Sequence, residues 1–294
     1  MRVLNYGSLN IDHVYAVDHF VRPGESLPSR SYAMHPGGKG ANQSTAMALA
    51  GADVAHAGKV GRDGAWYRDR LAECGVDVQH VDIVDTPSGH AMIQVNPQGE
   101  NAIVLYGGAN REIAEADAAR VLGAFSAGDF LLLQNEISAI PAIMRTATER
   151  GLRIVFNAAP MHAEVKSYPL ELVDLFIVNE IEGAELTGET NTDKVLDAML
   201  ATFPKAGTVL TLGSKGARYG RGDTRLSAEA HRVHAVDTTA AGDTFIGYLL
   251  AELANGGEMQ QALEMGCAAA AVCVTRPGAA SSIPRRDEVV TGGA

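Results

Sequence analysis

Asp237-Thr238-Thr239-Ala240-Ala241-Gly242-Asp243-Thr244-Phe245 is a run of small and polar residues that leads directly into an apolar helix. Apolar residues recur at helical spacing from Phe245 to Leu253, and Asn255-Gly256-Gly257 supplies a stop signal. The first N–H groups of a helix have no partner inside it, and the helix dipole attracts anions to that end. Because the residues before the helix are small, a ligand could approach these N–H groups closely.

Asp243 lies in the first turn of this predicted helix and would face an anion bound there. An Asp in such a position can accept a proton from a hydroxyl nucleophile while the N–H dipoles stabilise phosphoryl oxygens. The same dipole is expected to lower the pKa of the carboxyl group. The alternative is a structural helix whose Asp only interacts favourably with the dipole. The run by itself leaves both interpretations open.

The composition favours a folded enzyme-sized chain over a nucleic-acid-binding or membrane protein. Of its 294 residues, 46% are hydrophobic and 20% are charged, so a large core is expected and disorder is not. The net charge of −11 argues against a nucleic-acid surface. Cys74, Cys267 and Cys273 do not have the spacing of metal ligands. No apolar run of membrane-spanning length or signal peptide is apparent, so we expect a cytoplasmic location.

Strand and helix patterns alternate from about residue 128 onward, which predicts a parallel sheet covered by helices on both faces. We expect one α/β domain over residues 1–294, with a frayed end at Thr291–Ala294. The predicted strands in this half are Phe130–Gln134, Arg153–Phe156, Leu175–Val178 and Thr208–Leu212.

Polar or Gly-rich residues follow each of these four strands. They are Asn135-Glu136, Asn157, Asn179-Glu180-Ile181-Glu182 and Gly213-Ser214-Lys215-Gly216. Ligands of parallel sheets bind beyond the carboxyl ends of the strands, where these residues would converge. Any one of them could be an ordinary helix cap, but the set as a whole favours a binding site.

Asn10 and Asp12 follow the short predicted strand Val3–Tyr6 and alternate with apolar residues, so both side chains should project from one face. Together an Asn and an Asp can donate to and accept from vicinal hydroxyl groups, as a sugar site requires. A pair of loop-capping residues is the alternative.

A Gly-rich entry to an Ala-rich helix spans Gly37 to Gly51. Its glycines permit close approach of the backbone, Lys39 adds a positive charge, and Asn42 offers both a donor and an acceptor. The Walker A pattern is absent from the sequence, which disfavours a P-loop protein. A tight turn that binds no ligand is the alternative.

Two further segments, His13–His35 and Ser88–Gly108, combine apolar–polar alternation with turn residues. Both are predicted to be β excursions from the main domain. Small sheets with an apolar face are marginal alone, so these segments are expected to need a partner surface.

The run Asp237–Thr244 resembles the second signature of the ribokinase-like (PfkB) family of sugar kinases. Pro36-Gly37-Gly38-Lys39-Gly40-Ala41-Asn42-Gln43 resembles the first signature of that family in its ribokinase form. The likeness extends from Gly7 to Pro284. It implies an α/β fold with a mostly parallel central sheet, helices on both faces and a small β-sheet lid made by segments 13–35 and 88–108. It also implies an ATP-dependent sugar kinase that forms a homodimer through the lid.

The resemblance assigns roles by position. Asp243 would be the catalytic base, and the amides of Ala240, Ala241 and Gly242 would hold developing charge. The sugar-binding positions are Asn10, Asp12, Gly38, Lys39, Gly40, Asn42, Glu136 and Asp243. The nucleotide-binding positions are Asn179, Thr211, Gly213, Ser214, Gly216, Gly242 and Cys267.

The resemblance also implies two metal ions. Glu182 would hold Mg²⁺ through water. A monovalent cation, normally K⁺, would lie among Asp237, Thr239, Cys273, Arg276, Gly278 and Ser282. D-ribose is the first expectation for the sugar, with a nucleoside or another furanose or ketose sugar as the alternative in the same class. A non-catalytic sugar or nucleotide sensor on the same fold is the alternative outside it.

Overall fold

A computed structural model describes residues 1–290 of the chain. The predicted frayed end at Thr291–Ala294 lies outside the described residues. The strands are β1 (Val3–Tyr6), β2 (Asn10–Ala16), β3 (Ser31–Gly37), β4 (Val54–Gly61), β5 (Asp77–Val84), β6 (Gly89–Val95), β7 (Asn101–Tyr106), β8 (Phe130–Gln134), β9 (Arg153–Asn157), β10 (Leu175–Asn179), β11 (Gly207–Thr211), β12 (Ala217–Arg221) and β13 (Thr224–Ala228). The helices are α1 (Lys39–Leu49), α2 (Ala65–Glu73), α3 (Glu115–Leu122), α4 (Ile140–Glu149), α5 (Glu180–Thr187), α6 (Thr192–Thr202), α7 (Ala241–Ala254), α8 (Met259–Val274) and α9 (Arg286–Val290).

Nine strands form the central sheet in the order β13-β12-β11-β10-β9-β8-β1-β4-β5. The seven strands from β11 to β5 are mutually parallel, and β12 and β13 continue the sheet in antiparallel fashion. The predicted α/β fold with a mostly parallel sheet is therefore confirmed. The β12–β13 hairpin, strand β5 and helix α3 were not predicted from the sequence.

The core consists of two layers, one on each face of the sheet. Alternate residues of the buried strands belong to opposite layers, as Leu131 and Leu132 do in β8. Helices α3, α4, α5 and α6 cover one face, and α1, α2, α7 and α8 cover the other. Because both faces are covered, the central strands are apolar almost throughout.

Four central strands each break this apolar pattern with one buried polar residue. These residues are Asn5, His56, Gln134 and Asn157, and their side chains bond to α1 or to one another. The polar row crosses β9, β8, β1 and β4 and lies below the first half of α1.

The second sheet is a separate four-stranded lid in the order β3-β2-β6-β7. In the first of the two lid segments, β2 begins at Asn10 and β3 ends at Gly37. The predicted start at His13 was therefore three residues too late. Asn10 and Asp12 are thus part of the lid and do not belong to a loop before it. The β6–β7 pair is the hairpin expected around Pro97–Gly99. None of the helices formed by residues 1–290 is both long and apolar enough to cross a membrane.

Candidate active site

The start of α7 presents free N–H groups to an open space. Ala240 adopts a left-handed conformation with φ of 60°, which costs an Ala roughly 1 kcal/mol and turns the chain sharply into the helix. Within residues 1–290, the N–H groups of Ala240 and Gly242 have no acceptor, whereas that of Ala241 donates to Thr238 O at a long 3.3 Å. A Cβ built on Gly242 would have no heavy atom within 4 Å, so a ligand can approach closely.

Asp243 is buried, and both its carboxylate oxygens accept hydrogen bonds from α1. Asn42 Nδ2 donates to Oδ2 at 3.0 Å, and Gln43 Nε2 donates to Oδ1 at 2.9 Å. Burial raises the pKa of Asp243 above its ordinary value, although Lys39 and the two amides act in the opposite direction. The expectation of a lowered pKa was therefore wrong, because loss of hydration outweighs the helix dipole here.

Lys39 and Glu136 lie beside each other at the start of α1. The carboxylate of Glu136 accepts a hydrogen bond from the N–H of Lys39 at 2.9 Å and another from the hydroxyl of Ser8. Burial lowers the pKa of Lys39, but the carboxylates of Asp243, Glu136 and Glu182 raise it above its ordinary value. Lys39 is therefore positively charged at neutral pH. Glu136 therefore caps the start of α1.

Asp12 lies at the entrance to the lid, with its carboxyl group packed on the backbone of Gly37. A Cβ on Gly37 would fall 2.2 Å from Asp12 Oδ2, so only glycine leaves room for this carboxyl group. Burial and then the charge of Glu136 raise the pKa of Asp12 to about 6. Asn10 is held by Asn110, whose Nδ2 donates to Asn10 Oδ1 at 2.7 Å.

Ala91 and Ile93 of β6, which the sequence analysis did not assign to the site, complete the lid above it. The β2–β6 register pairs Asp12 with Ala91 and Val14 with Ile93, which places all four on one face of the lid. On the other side of the site, Asn42 Oδ1 is buried without a hydrogen-bond partner in the described chain. A ligand hydroxyl group would supply the missing donor.

Two cavities meet at Gly242. The larger, of about 460 Å³, is lined by six of the seven predicted nucleotide positions, namely Thr211, Gly213, Ser214, Gly216, Gly242 and Cys267. The smaller, of about 220 Å³, is lined by Lys39, Asn179, Glu182 and Asp243 among others. Thr211, Thr238 and Gly242 line both cavities. The segment 230–233, which also lines the larger cavity, was missed because its sequence carries no recognisable motif.

Asn179 and Glu182 form a reciprocal capping box at the start of α5. Glu182 N–H donates to Asn179 Oδ1 at 2.8 Å, and Asn179 N–H donates to Glu182 Oε2 at 3.0 Å. Burial raises the pKa of Glu182, against the opposing effects of Asn179 and Lys39. The cap interpretation is therefore confirmed for these two residues, and both also line the smaller cavity, so binding there stays a prediction.

The predicted cation residues come together where the loop before α7 meets the loop after α8. Asp237 joins the two loops, because its carboxylate accepts from the N–H groups of Thr239 and Gly278, both at 2.9 Å. Cys273 Sγ lies 3.1 Å from Ser282 Oγ. Arg276 turns outward and pairs with Glu288 at 2.6 Å. The described residues contain no cluster of three or more His, Cys, Asp or Glu suited to a metal ion.

Comparison with known proteins identifies the family. A model described as "pfkB family carbohydrate kinase" matches residues 2–286. The chain belongs to the pfkB family of carbohydrate kinases. It is 37% identical to the ribokinase of Haemophilus influenzae, over 97% of this chain and 95% of that protein.

Solved structures agree with this membership of the pfkB family. The ribokinase of Cryptococcus neoformans in complex with ADP superimposes with a TM-score of 0.87 at 33% identity and covers 98% of both chains. Arabidopsis thaliana ribokinase complexed with ribose and ATP gives a TM-score of 0.85 at 27% identity, over 98% of this chain and 97% of that one. The resemblance inferred from the two signatures is therefore confirmed.

The raised pKa of Asp12 predicts a measurable stability cost in this pfkB protein. Folding raises the pKa from 3.8 to about 6, so the free energy of unfolding falls as the pH rises through that interval. Asp12→Asn removes the ionisable group and should stabilise the protein by about 2 kcal/mol at pH 8, after allowance for residual solvent contact. The difference should shrink towards zero below pH 4. Urea unfolding at pH 4 and pH 8 measures both values.

Asp223→Asn, in the exposed turn between β12 and β13, is the matched control and should change the free energy of unfolding little, because its side chain lies at the surface. Equal stability of Asp12→Asn and the wild type at pH 8 would contradict the prediction.

Proposed function

We propose that the protein is an ATP-dependent sugar kinase that transfers the γ-phosphoryl group of ATP to the primary hydroxyl of D-ribose, giving ribose 5-phosphate. The observation that carries this proposal is the position of Asp243. Its buried carboxylate lies at the start of α7, in the small cavity that adjoins the larger nucleotide-sized one. Membership of the family and the ribokinases among its relatives support the same activity.

The proposed roles follow from the geometry. The nucleoside occupies the larger cavity, and its phosphates extend past Gly242 towards Lys39. The sugar lies below the lid, where Asn10, Asp12 and Asn42 bind its hydroxyl groups. Gly38 and Gly40 let the backbone come close, and Glu136 contacts the sugar from the start of α1. The whole chain acts as one domain with the lid strands inserted in it.

Asp243 accepts the proton of the primary hydroxyl as its oxygen bonds to the γ-phosphorus. The bond between that phosphorus and the bridging oxygen breaks, and ADP leaves with the electron pair. The free N–H groups of Ala240 and Gly242, with that of Ala241, stabilise the phosphoryl oxygens. A buried carboxylate with a raised pKa is a stronger base than one exposed at a helix N-terminus, which favours this role.

Magnesium would be held near Glu182, which lines the phosphate cavity. Mg²⁺ keeps several waters and takes substrate phosphates as ligands, so one half-buried carboxylate is a fitting protein contribution. When bound, the ion neutralises phosphate charge. Glu182 would retain its bond to Asn179 and contact the ion through water.

Substrate choice is tested by measuring ADP release with a panel of D-ribose, 2-deoxyribose, ketose sugars and nucleosides. We expect D-ribose to give the highest kcat/KM. A nucleoside or another sugar ahead of ribose would assign a different substrate in the same class. Binding of sugar and ATP without any ADP release would indicate a sensor.

Asp243→Asn should lower kcat by a factor of at least about 10³, because the amide cannot accept the proton. Sugar affinity, measured by calorimetry, should change only a few-fold since the side chain keeps its size. Asp223→Asn is the control and should have wild-type kcat. If Asp243→Asn kept a tenth of the wild-type kcat, another residue would have to be the base.

We propose that a monovalent cation, K⁺ by preference, binds between the loop before α7 and the loop after α8. Asp237 carries one negative charge there, and the hydrogen bonds from Thr239 and Gly278 lower its pKa despite partial burial. K⁺ should raise kcat more than Na⁺ does at constant ionic strength. Asp237→Asn should lose this difference, whereas Asp223→Asn should keep it. Equal rates of the wild-type protein with and without K⁺ would contradict the proposed cation site.

The lid face opposite Asp12 supports a homodimer. The register places Met34, Met92 and Val104 in one row with His13, and Tyr32 and Tyr106 flank the row on the same face. All five apolar side chains are exposed, with Val104 at 69%. An apolar face of this kind is a marginal structure unless it is covered. Two lids meeting face to face would cover it in a symmetric dimer.

Val104→Asp should therefore convert a dimer into a monomer in sedimentation experiments at micromolar concentration. Ile83→Asp, at an exposed apolar position on the edge strand β5, is the matched control and should leave the mass unchanged. A wild-type protein that sediments as a monomer would contradict the proposal.

A further inference from the structure

The polar row below α1 has no role in the chemistry described so far. Asn5, His56 and Gln134 have no exposed surface, and Asn157 is only 6% exposed. They occupy neighbouring strands of the central sheet, where the surrounding positions are apolar. Burying polar groups in such a place costs free energy unless each is hydrogen-bonded, and apolar residues would pack a sheet against a helix without that cost.

Gln43 connects this row to Asp243. Its Nε2 donates both to Asp243 Oδ1 at 2.9 Å and to Asn157 Oδ1 at 3.2 Å. Its Oε1 accepts a hydrogen bond from Gln134 Nε2 at 2.7 Å. Gln43 therefore presents its amino group to the carboxylate while Gln134 holds its carbonyl oxygen on the other side.

Gln134 holds this orientation from the carbonyl side of Gln43, and Asn157 and Asp243 accept hydrogen bonds on the amino side. Its Nε2 donates to Gln43 Oε1 and to Asn5 Oδ1, at 2.7 and 2.9 Å. Its own Oε1 is buried and has no hydrogen-bond partner in the described part of the chain. If the Gln43 amide were reversed, Gln134 would face another donor and Asp243 would face an oxygen, so one direction is strongly preferred.

Backbone carbonyl groups fix the direction of the far end of the row. Asn5 Nδ2 donates to Gly40 O and to Ser44 Oγ, at 2.7 and 2.9 Å. Ser44 Oγ lies 2.8 Å from His56 Nδ1, and His56 Nε2 lies 3.2 Å from Gly7 O. A carbonyl oxygen only accepts, so Nε2 carries the proton and Nδ1 accepts from Ser44. Burial lowers the pKa of His56 to about 4, so the ring stays neutral and keeps this arrangement.

We propose that Gln43 and Gln134 are positioning residues that orient the carboxylate of Asp243 through a hydrogen-bond chain running from His56 across the sheet. Gln43 acts on the carboxylate directly, and Gln134 acts only through Gln43. The inference rests on the proposed function, because its consequence is the aim of the base towards the sugar hydroxyl. A misdirected carboxylate would slow the chemical step and leave sugar and ATP binding almost unchanged.

Gln134→Met tests the proposal, since Met has nearly the same length and no donor. We expect kcat to fall about tenfold to a hundredfold, with the KM values for sugar and ATP changed less than about threefold. Gln43→Met should produce a loss at least as large. The double variant should match Gln43→Met alone, because among the described residues the side-chain hydrogen bonds that link Gln134 to Asp243 run through Gln43. Losses that multiply in the double variant would contradict this arrangement.

Thr208→Val is the matched control. Thr208 is also fully buried in the central sheet, and its hydroxyl group has no partner in the described chain, but it lies on β11 outside the polar row. It should keep wild-type kcat. A wild-type kcat in Gln134→Met would overturn the proposal, as would an equal loss in Thr208→Val.

The pKa of Asp243 provides a readout that a purely structural role would not change. The Gln43 hydrogen bond lowers this pKa, as do Lys39 and Asn42, while Glu182 is the neighbouring carboxylate. Gln43→Met, which removes this hydrogen bond, should raise the pKa of Asp243 and move the acid limb of the kcat–pH profile to higher pH. Carbon-13 NMR titration of the free protein measures it, with the Asp243 signal assigned by its absence from Asp243→Asn.

If Gln134→Met does not fold, Gln134→Glu tests the same point at unchanged volume. A buried neutral carboxyl group has a single O–H and can supply only one of the two hydrogen bonds, so kcat should still fall. An unchanged kcat in that variant would overturn the proposal. If the wild-type protein phosphorylates no sugar, the proposed function fails. The NMR comparison of wild type and variants then still decides whether Gln134 orients Asp243.

Discussion

The site depends on the close contact between α1 and α7. A Cβ on Gly247 of α7 would lie 2.3 Å from Ala46 Cβ of α1, so the two helices approach as closely as their backbones allow. Only this approach lets Asn42 and Gln43, near the start of α1, reach Asp243 in the first turn of α7. About two hundred residues separate the partners in sequence, and the packing of small residues joins them.

The fold was largely predictable because its central strands are buried on both faces. Val3–Tyr6 and Phe130–Gln134 were predicted with the boundaries that the structure has. Strand β5 was missed since it is an edge strand with mixed exposure, and β12–β13 since a polar hairpin has no distinct apolar period. The local sequence pattern therefore identified the buried central strands and missed the strands at the two edges of the sheet.

The candidate site was predictable where its residues lie close together within one short sequence motif. The positions around Asp243, Lys39 and Glu182 were selected from sequence and line connected cavities. Ala91, Gln134 and His56 were not selected from the sequence. Their relevance depends on strand register and on which face of the sheet meets α1. The pKa of Asp243 was predicted in the wrong direction for a related reason. The burial that raises this pKa arises when the helices pack on the sheet, and a local sequence motif gives no information about it.

Burial also explains how a protein of net charge −11 can bring a carboxylate and phosphates together. The local field near Asp243 is set by Lys39 and by uncompensated N–H groups at the start of α7, while most of the negative charge lies on the solvated surface. In a site with little water these few dipoles act at short range and are weakly screened. Burial raises the pKa of this carboxylate, which fits the role of proton acceptor proposed for it. Burial thus strengthens the short-range dipoles that phosphate binding would use, and it also raises the proton affinity that the proposed proton transfer to Asp243 would need.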